Sequence, residues 1–276
     1  MPEQYESGIH QAPWLGTRRM IARLWSRLLR GRAFDWNDLE AELDRCRAPM
    51  MFWWRDDDAV AETPALAALL RLRAELDLPL ALAVVPAHVA ESLVTRLDRE
   101  TAIGILQHGW DHANHAGADA PRSEFPPGRA LAEIRAQLTE GRHRLEALFA
   151  GRFIPALVPP FNALAAGAVE AVRASGLSRI SLASDFAGLA LPSRNVHADL
   201  IDWRCGRAVP AANAIRSIVL ALRLRRFGLT DAARPIGVLT HHLVHDEGIW
   251  SLARELLSRL KAHQNVSFAP IDGVFA

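Results

Sequence analysis

"MFWWRDDDAV", residues 51–60, joins an apolar run to a cluster of charged residues. It begins as an apolar, aromatic run, typical of a buried β-strand, and ends on one arginine and three consecutive aspartates. Adjacent carboxylates repel one another, so a structure that keeps three of them together has to hold them or use them. In α/β barrels the functional residues follow the carboxyl ends of the strands, which makes this run a candidate wall of an active site.

Further along the chain, short apolar runs alternate with alanine- and leucine-rich segments of helical period. Strands are predicted over 50–54, 80–85, 102–106, 153–158, 179–183 and 236–240. Helices are predicted over 64–76, 128–149, 163–175, 211–227 and 249–263, and loops over 116–128 and 186–198. This alternation predicts a parallel sheet with outer helices, and six to eight such units favour an α/β barrel over an open sheet.

Composition and charge exclude several classes of protein. The chain has 276 residues, is 50% hydrophobic and carries a net charge of +1, which argues against a general nucleic-acid binder. Two cysteines do not make a disulfide scaffold. No apolar run reaches the roughly 18 residues of a membrane span, and the N-terminus lacks the pattern of a signal peptide. We therefore expect a cytoplasmic protein with no transmembrane segment and no nucleic-acid partner.

The N-terminal segment differs from the rest of the chain. Residues 17–32 carry six arginines and no acid, and their apolar residues fall on one helical face. This pattern predicts an N-terminal helical extension over residues 1–47, followed by a barrel domain over 48–276. The helix would pack on the body of the protein or serve as a contact surface for a membrane, a partner or a second copy of the chain in a homo-oligomer.

Polar residues cluster directly after the predicted strands. Six of the eleven histidines lie in the segments 108–115 and 241–247, and the stretches "PPFN" (159–162) and "DLIDWR" (199–204) also follow apolar runs. His108 and His112 have the i,i+4 spacing that places two imidazoles on one side of a helical turn. A carboxylate from another strand end would complete a two-histidine, one-carboxylate metal site with open positions for water. His115 is a rival ligand, because it extends the same face by three residues.

The other residues of these segments suggest acid–base chemistry beside such a metal. Asp57 and Asp58 could fill two carboxylate roles, one as a metal ligand and one as the base that takes a proton from water. His241 could protonate a leaving group.

In this order, the motifs resemble those of the polysaccharide deacetylases of carbohydrate esterase family 4, the NodB-like group, over about residues 50–245. The resemblance implies a distorted (β/α)7-type barrel with Asp57 as general base and His241 as catalytic acid. Asp58, His108 and His112 would be the metal ligands. "DLIDW", with Asp202 and the following Arg204 as supporting residues, resembles the fourth motif of the family, and "VPPFN" matches the third in part.

Two departures from the family pattern concern the third motif. Val158 stands where the family has an arginine that braces the base, and Asn162 stands where it has glycine. Arg55 or Arg204 could supply the missing guanidinium from another strand end. The register of the aspartates also stays open, since Asp56 and Asp57 could be the pair instead.

The implied function is a metal-dependent hydrolase that removes an acetyl group from an N-acetylated sugar or polysaccharide. Water activated by the metal would attack the amide, and the metal and a backbone N–H near Phe161 would hold the oxyanion. Zinc is favoured by the ligand types. The alternatives are hydrolysis of another non-peptide C–N bond on a non-sugar substrate, and a catalytically silent barrel that binds a glycan or a partner.

Overall fold

The structure is a computed structural model that describes residues 33–183 and 191–276. Within these ranges the strands are β1 (Met50–Ala59), β2 (Leu80–Val84), β3 (Ile103–His108), β4 (Phe153–Val158), β5 (Arg179–Ile180), β6 (Val196–Asp199), β7 (Ile201–Asp202), β8 (Arg207–Ala208), β9 (Ile236–Thr240) and β10 (Val266–Phe268). The α-helices are α1 (Trp36–Asp44), α2 (Pro64–Leu76), α3 (Glu91–Leu97), α4 (Leu131–Leu148), α5 (Val169–Ala174), α6 (Ala211–Arg226), α7 (Glu247–Ala262) and α8 (Ile271–Val274). No helix of the described ranges is long and apolar enough to cross a membrane.

The sheet is parallel and curls into a distorted barrel, which confirms the predicted fold class. Its order is β5-β4-β3-β2-β1-β9-β6, and β10 pairs with the start of β1. Parallel bridges join Ile180 to Ser193 and Ala183 to Val196, so the segments at the two edges of the sheet also meet. The strands β7 and β8 form a separate antiparallel hairpin.

Several element boundaries agree with the sequence pattern, but several short strands were not predicted from it. The strands over 153–158 and 236–240 and the helix over 64–76 have the predicted limits. Thr63 accepts a hydrogen bond from the N–H of Leu66 and Pro64 opens the helix, as expected of a cap followed by a first-turn proline. The predicted loop over 186–198 is partly wrong, because β6 begins at Val196. Strands of two to four residues carry too few apolar positions to show a period.

The sheet separates a large outer core from a small inner one. Side chains alternate along β1, so that Phe52 and Trp54 join the core under the helices, whereas Trp53 points into the barrel. The inner cluster consists of Trp53, Ala81, Ala83, Leu106, Ala156, Val158, Val196, Leu239, Ala269, Ile271, Val274 and Phe275. Its last four members come from the C-terminal segment, which closes the end of the barrel where the strands begin.

The helix α1 packs against α6 in the described part of the chain. Leu39 and Leu43 belong to the outer core, and the buried Glu42 accepts hydrogen bonds from Arg223 and Arg226. The helix predicted over 17–32 lies outside the described residues. The extension over 1–47, the barrel boundary at 48 and the oligomer contact through that helix therefore stay predictions.

Candidate active site

The carboxyl ends of β1, β3 and β9 meet at one end of the barrel. The strands β2 and β9 flank β1, and β3 lies beside β2. The aspartates end β1, His108 ends β3, and His241 directly follows β9. The structure thereby brings together most of the residues predicted from the sequence, namely Arg55, Asp57, Asp58, His108, His112 and His241.

A kink at the end of β1 explains how two neighbouring aspartates reach the same site. Successive side chains of a strand point to opposite faces, so Asp57 shares the inward face with Arg55 while Asp58 would point away. The pairing of β1 with β2 is irregular between Asp56 and Ala59, and Asp58 has φ 71°. Aspartate tolerates this left-handed conformation better than most residues. The kink therefore returns the Asp58 carboxylate to the mouth of the barrel.

Asp58, His108 and His112 form the group of side chains that could hold one metal ion. The Asp58 Oδ1 atom lies 3.0 Å from Nε2 of His108 and 3.3 Å from Nε2 of His112. One ligand atom from each residue lies within 4.8 Å of the other two. Although burial opposes ionisation, the hydrogen bond from His108 holds the pKa of Asp58 below its ordinary value. Asp58 is therefore ionised at neutral pH, as a metal ligand must be.

The protonation of His108 indicates how a cation fits this donor set. Its Nδ1 donates to the carbonyl oxygen of Val158 at 2.9 Å while its Nε2 donates to Asp58. Burial lowers the pKa of His108, but the hydrogen bond to Asp58 and the charges of Asp57 and Asp58 together outweigh it, and the net pKa is raised. An imidazole whose Nδ1 is tied to a carbonyl presents Nε2 as its ligand atom. A divalent cation would replace the Nε2 proton and relieve the close Asp58–His108–His112 contacts, so these residues fit a metal.

The segment between the two histidines is not the helical turn that the spacing predicted. The strand β3 ends at His108, and Gly109 and His112 both have φ 60°. The buried Glu124 accepts the N–H of Trp110 at 2.7 Å and the N–H of His112 at 3.2 Å. Burial raises the pKa of Glu124 to about 7, against the lowering effect of the Trp110 N–H. Glu124 lies in a stretch predicted as a loop, and no periodicity or spacing marked it in the sequence.

Asp57 is held by Arg55 inside the barrel. The Nη2 of Arg55 donates to Oδ2 of Asp57 at 3.0 Å, and its Nε lies 2.8 Å from Oδ1 in a close but less well aligned contact. The third nitrogen of the guanidinium, Nη1, donates to the hydroxyl of Ser181 at 2.5 Å. Arg55, Asp57 and Ser181 are buried. Val158, which stands at the position of the family arginine, packs among the apolar side chains of the inner cluster. The guanidinium beside Asp57 is therefore supplied by the residue two positions earlier on the same strand.

His241 lies beside the same aspartate. Its Nε2 is 3.8 Å from Oδ2 of Asp57, and its ring meets the ring of Trp203 edge to face at 4.7 Å. The Nε1 of Trp203 donates to Asp199 at 2.8 Å. Burial raises the pKa of Asp199, and the nearby His241 opposes that rise. Asp199 is therefore the acid of this segment whose pKa is affected by His241.

Asp202 and Arg204 lie on the β7–β8 hairpin and pair with each other. The Nη2 of Arg204 donates to Oδ2 of Asp202 at 2.6 Å, and the arginine side chain is 88% exposed. None of the hydrogen bonds or ion pairs within 33–183 and 191–276 joins either residue to Asp57 or His241. Their supporting role stays a prediction, while the bracing position beside Asp57 is filled by Arg55.

Asp56 has partners that the sequence did not indicate. It is fully buried and accepts hydrogen bonds from the Thr240 hydroxyl at 2.7 Å and from the backbone and Nδ1 of His242 at 3.0 and 2.5 Å. Burial opposes its charge, but His242 and Thr240 hold the pKa of Asp56 below its ordinary value. Asp56 therefore holds the segment after β9, which carries His241, against the end of β1.

Phe161 lies beside the proposed metal ligand His112. Its ring packs against His112 with 4.6 Å between ring centroids, and the guanidinium of Arg122 lies over the Phe161 ring, 4.2 Å from its centroid. Phe161 has φ 58° at the turn after β4. The use of its backbone N–H as an oxyanion donor stays a prediction. His115 is exposed and lies outside the group of possible metal ligands.

No protein-family model matches the sequence, and no curated protein matches it. Solved structures do resemble the fold. A family 4 carbohydrate esterase from Streptomyces lividans in complex with acetate is 12% identical with a TM-score of 0.53, covering 83% of this chain and 96% of that one. A family 4 acetyl xylan esterase from Clostridium thermocellum in complex with a cobalt ion is 15% identical with a TM-score of 0.51, covering 82% and 90%.

A further similar structure is a mutant, with restored enzymatic activity, of a pseudoenzyme of the same family. It is 17% identical with a TM-score of 0.51, covering 83% of this chain and 68% of that one. The protein therefore has the fold of the family 4 carbohydrate esterases, the NodB-like barrel that its motifs resemble. At these identities the likeness establishes the fold alone.

Proposed function

We propose that this protein is a metal-dependent hydrolase that removes an acetyl group from an N-acetylated sugar or polysaccharide. The observation that carries the proposal is the position of Asp57 between two groups. Its carboxylate pairs with Arg55 and lies 3.8 Å from His241, on the strand that also supplies Asp58 to the possible metal ligands. A base, an acid and a cation site thus converge at one end of the barrel.

Each residue has a role that follows from its contacts. Asp58, His108 and His112 would hold the ion, most favourably zinc by ligand type. Such an ion activates water and polarises the amide oxygen. Asp57 takes the proton of the attacking water, oriented for this by Arg55. His241, shielded on one side by Trp203, donates a proton to the departing amine.

The rim of the site supports a substrate with an apolar face. Trp203 is 55% exposed, and Leu243 and Val244 are each 43% exposed beside His241. Exposed apolar side chains beside a candidate catalytic residue are typical of a binding surface, and a sugar ring or the methyl of an acetyl group offers a matching face. A cytoplasmic location, which stays a prediction, would favour a small sugar precursor over a cell-wall polymer.

A catalytically silent barrel is the second candidate, and Val158 favours it. The family arginine is missing at that position, and one of the similar structures derives from a pseudoenzyme. The Arg55–Asp57 pair argues against this reading because it supplies the guanidinium by another route. Hydrolysis of a non-sugar amide is the third candidate, which only a substrate screen separates from the first.

Metal analysis of the purified protein, followed by substrate assays, tests the proposal. We expect about one divalent ion per chain, lost in Asp58→Ala and His108→Ala. The exposed His115 provides a matched control in the same segment, so His115→Ala should keep the ion. Asp57→Asn and His241→Ala should keep the ion while the rate of acetate release from N-acetylated sugars falls about 100-fold or more.

The outcomes separate the three candidates. A wild-type protein that binds the ion and hydrolyses only non-sugar amides would replace the sugar substrate. A protein that binds the ion and hydrolyses neither class would be the silent barrel. A wild-type protein purified without chelators that binds no ion would exclude the metal-dependent mechanism.

A further inference from the structure

Glu124 is a buried carboxylate whose two oxygens both face the segment between two proposed metal ligands. It has no exposed surface. Its Oε1 accepts the N–H of Trp110 at 2.7 Å, and its Oε2 accepts the N–H of His112 at 3.2 Å. Glu124 is not a member of the Asp58–His108–His112 group, and its burial keeps it out of contact with solvent.

The segment 109–112 needs such an acceptor because it is not helical. In a helix, the N–H groups after the first turn bond to carbonyl oxygens four residues earlier, and buried N–H groups left without a partner are costly. Here the strand ends at His108 and the backbone turns through positive φ at Gly109 and His112. The two bonds to Glu124 take the place of helical bonds and fix the path of this turn.

The carboxylate and the turn are in close contact. A side chain at Gly109 would bring its Cβ to 2.1 Å from Oε2 of Glu124 and 2.7 Å from Cγ of Pro160. Glu124 in turn is anchored, because Arg129 donates to its carbonyl oxygen at 2.7 Å and the next residue, Phe125, is fully buried. The turn therefore rests against a fixed carboxylate with no room for a larger residue at position 109.

We infer that Glu124 is a positioning residue for the metal centre, which sets where His112 presents its imidazole relative to His108 and Asp58. The inference rests on the proposed metal site. Residues that orient metal ligands without touching the ion commonly change metal affinity 10- to 100-fold when they are replaced. Glu124 would act in this way through the backbone of the turn.

Glu124→Gln tests the role, because its amide keeps the shape and one acceptor but turns an N–H donor toward a backbone N–H. We expect the dissociation constant for Co²⁺, measured by titration of the metal-free protein, to rise about 10- to 100-fold with the same stoichiometry. The visible absorption bands of bound Co²⁺ should shift as well, which a change in overall stability alone would not cause. Glu170→Gln is the matched control, since Glu170 is exposed and forms a surface pair with Arg173 on α5.

Three results bear on the inference in different ways. Unchanged Co²⁺ affinity and spectrum in folded Glu124→Gln would overturn it while the proposed function stands. A wild-type protein without Co²⁺ binding would overturn both. If Glu124→Gln does not fold, Glu124→Asp keeps the charge but draws the carboxylate away from the two N–H groups, and wild-type affinity in that variant would overturn the positioning role.

Discussion

Asp56, Asp57 and Asp58 are consecutive residues with three separate sets of partners. Asp56 points outward to Thr240 and His242, Asp57 inward to Arg55, and Asp58 across the kink to the two histidines. The alternation of the strand separates the first two, and the positive φ of Asp58 separates the third. Each carboxylate is therefore compensated by its own group, which removes the electrostatic conflict that the bare sequence presents.

The Arg55–Asp57 pair leads to a prediction about catalysis. Arg55→Ala should lower kcat/KM for acetate release about 100- to 1000-fold, because the base loses the group that orients it. The metal content should not change, since Arg55 does not contact the ligands. Kinetics and metal analysis of the same preparations measure both quantities. Arg254→Ala is the matched control, because that arginine forms an exposed pair with Glu75.

A second substitution makes the test more specific. Placing arginine at position 158 in the Arg55→Ala background, as Val158→Arg, should restore part of the lost activity. Val158 belongs to the inner cluster, and its pairing partner on the adjacent strand β3 is His108. The new side chain therefore begins beside the site. Undiminished activity in Arg55→Ala alone would show that Arg55 is not the replacement.

The sequence predicted the residues of the site better than their supports. Functional residues at strand ends follow from the topology of a barrel, and histidine spacing is visible without a structure. The burial of Asp56, the backbone bonds of Glu124 and the link between Asp199 and His241 depend on distant segments. Their partners lie from 12 to 186 residues away along the chain, so no local period or spacing reveals them.

At the scale of elements, the 3₁₀ turn after β9 is held from two directions. Residues 242–244 form the turn, with His242 bonded to Asp56 on β1 and the N–H of His241 donated to Nε2 of His245 at 3.2 Å. The ring of His245 packs edge to face on Trp250 of α7. The catalytic acid of the proposal is thus fixed between the first strand and a late helix.

His245 gives this segment a predictable dependence on pH. Burial lowers the pKa of His245 to about 4, below the value of about 6.5 in an unfolded chain. The unfolded state therefore binds more protons between these values, and the folded state loses stability as the pH falls through that window. His245→Gln retains an acceptor for the His241 N–H. When the pH falls from 7 to 4.5, its free energy of unfolding should decrease by on the order of 1–2 kcal/mol less than that of the wild type.

Urea denaturation of the metal-free proteins at several pH values measures this difference. Comparing variant with wild type cancels the contribution of other groups, such as Glu124, that titrate nearby. Parallel stability curves for the two proteins would show that His245 is not the group responsible.

At the scale of the whole molecule, the C-terminal segment completes the interior of the barrel. Phe275 meets Trp53 edge to face with 5.5 Å between ring centroids, and both are almost fully buried. A Cβ at Gly104 would lie 2.6 Å from a methyl of Ile271, so β3 leaves space for this segment. The inner core therefore depends on a segment that directly follows β10. This segment is distant in sequence from the other strands that surround it.

Phe275→Ala should consequently destabilise the entire domain. Removing a buried phenylalanine typically costs about 3–5 kcal/mol, and here it leaves a cavity against Trp53. Phe227→Ala is the matched control, since that ring is 52% exposed and its loss should cost less than about 1 kcal/mol. Urea denaturation compares the two, and equal costs would mean that the segment does not support the inner core.

The position of this segment also bears on when the chain can fold during synthesis. Residues 269–275 follow every strand within 33–183 and 191–276, and β10 pairs with the beginning of β1, the first of these strands. Until they leave the ribosome, the barrel lacks its floor and the indole of Trp53 faces water. The native interior of the barrel can therefore form only after all the strands of the described residues have been synthesised.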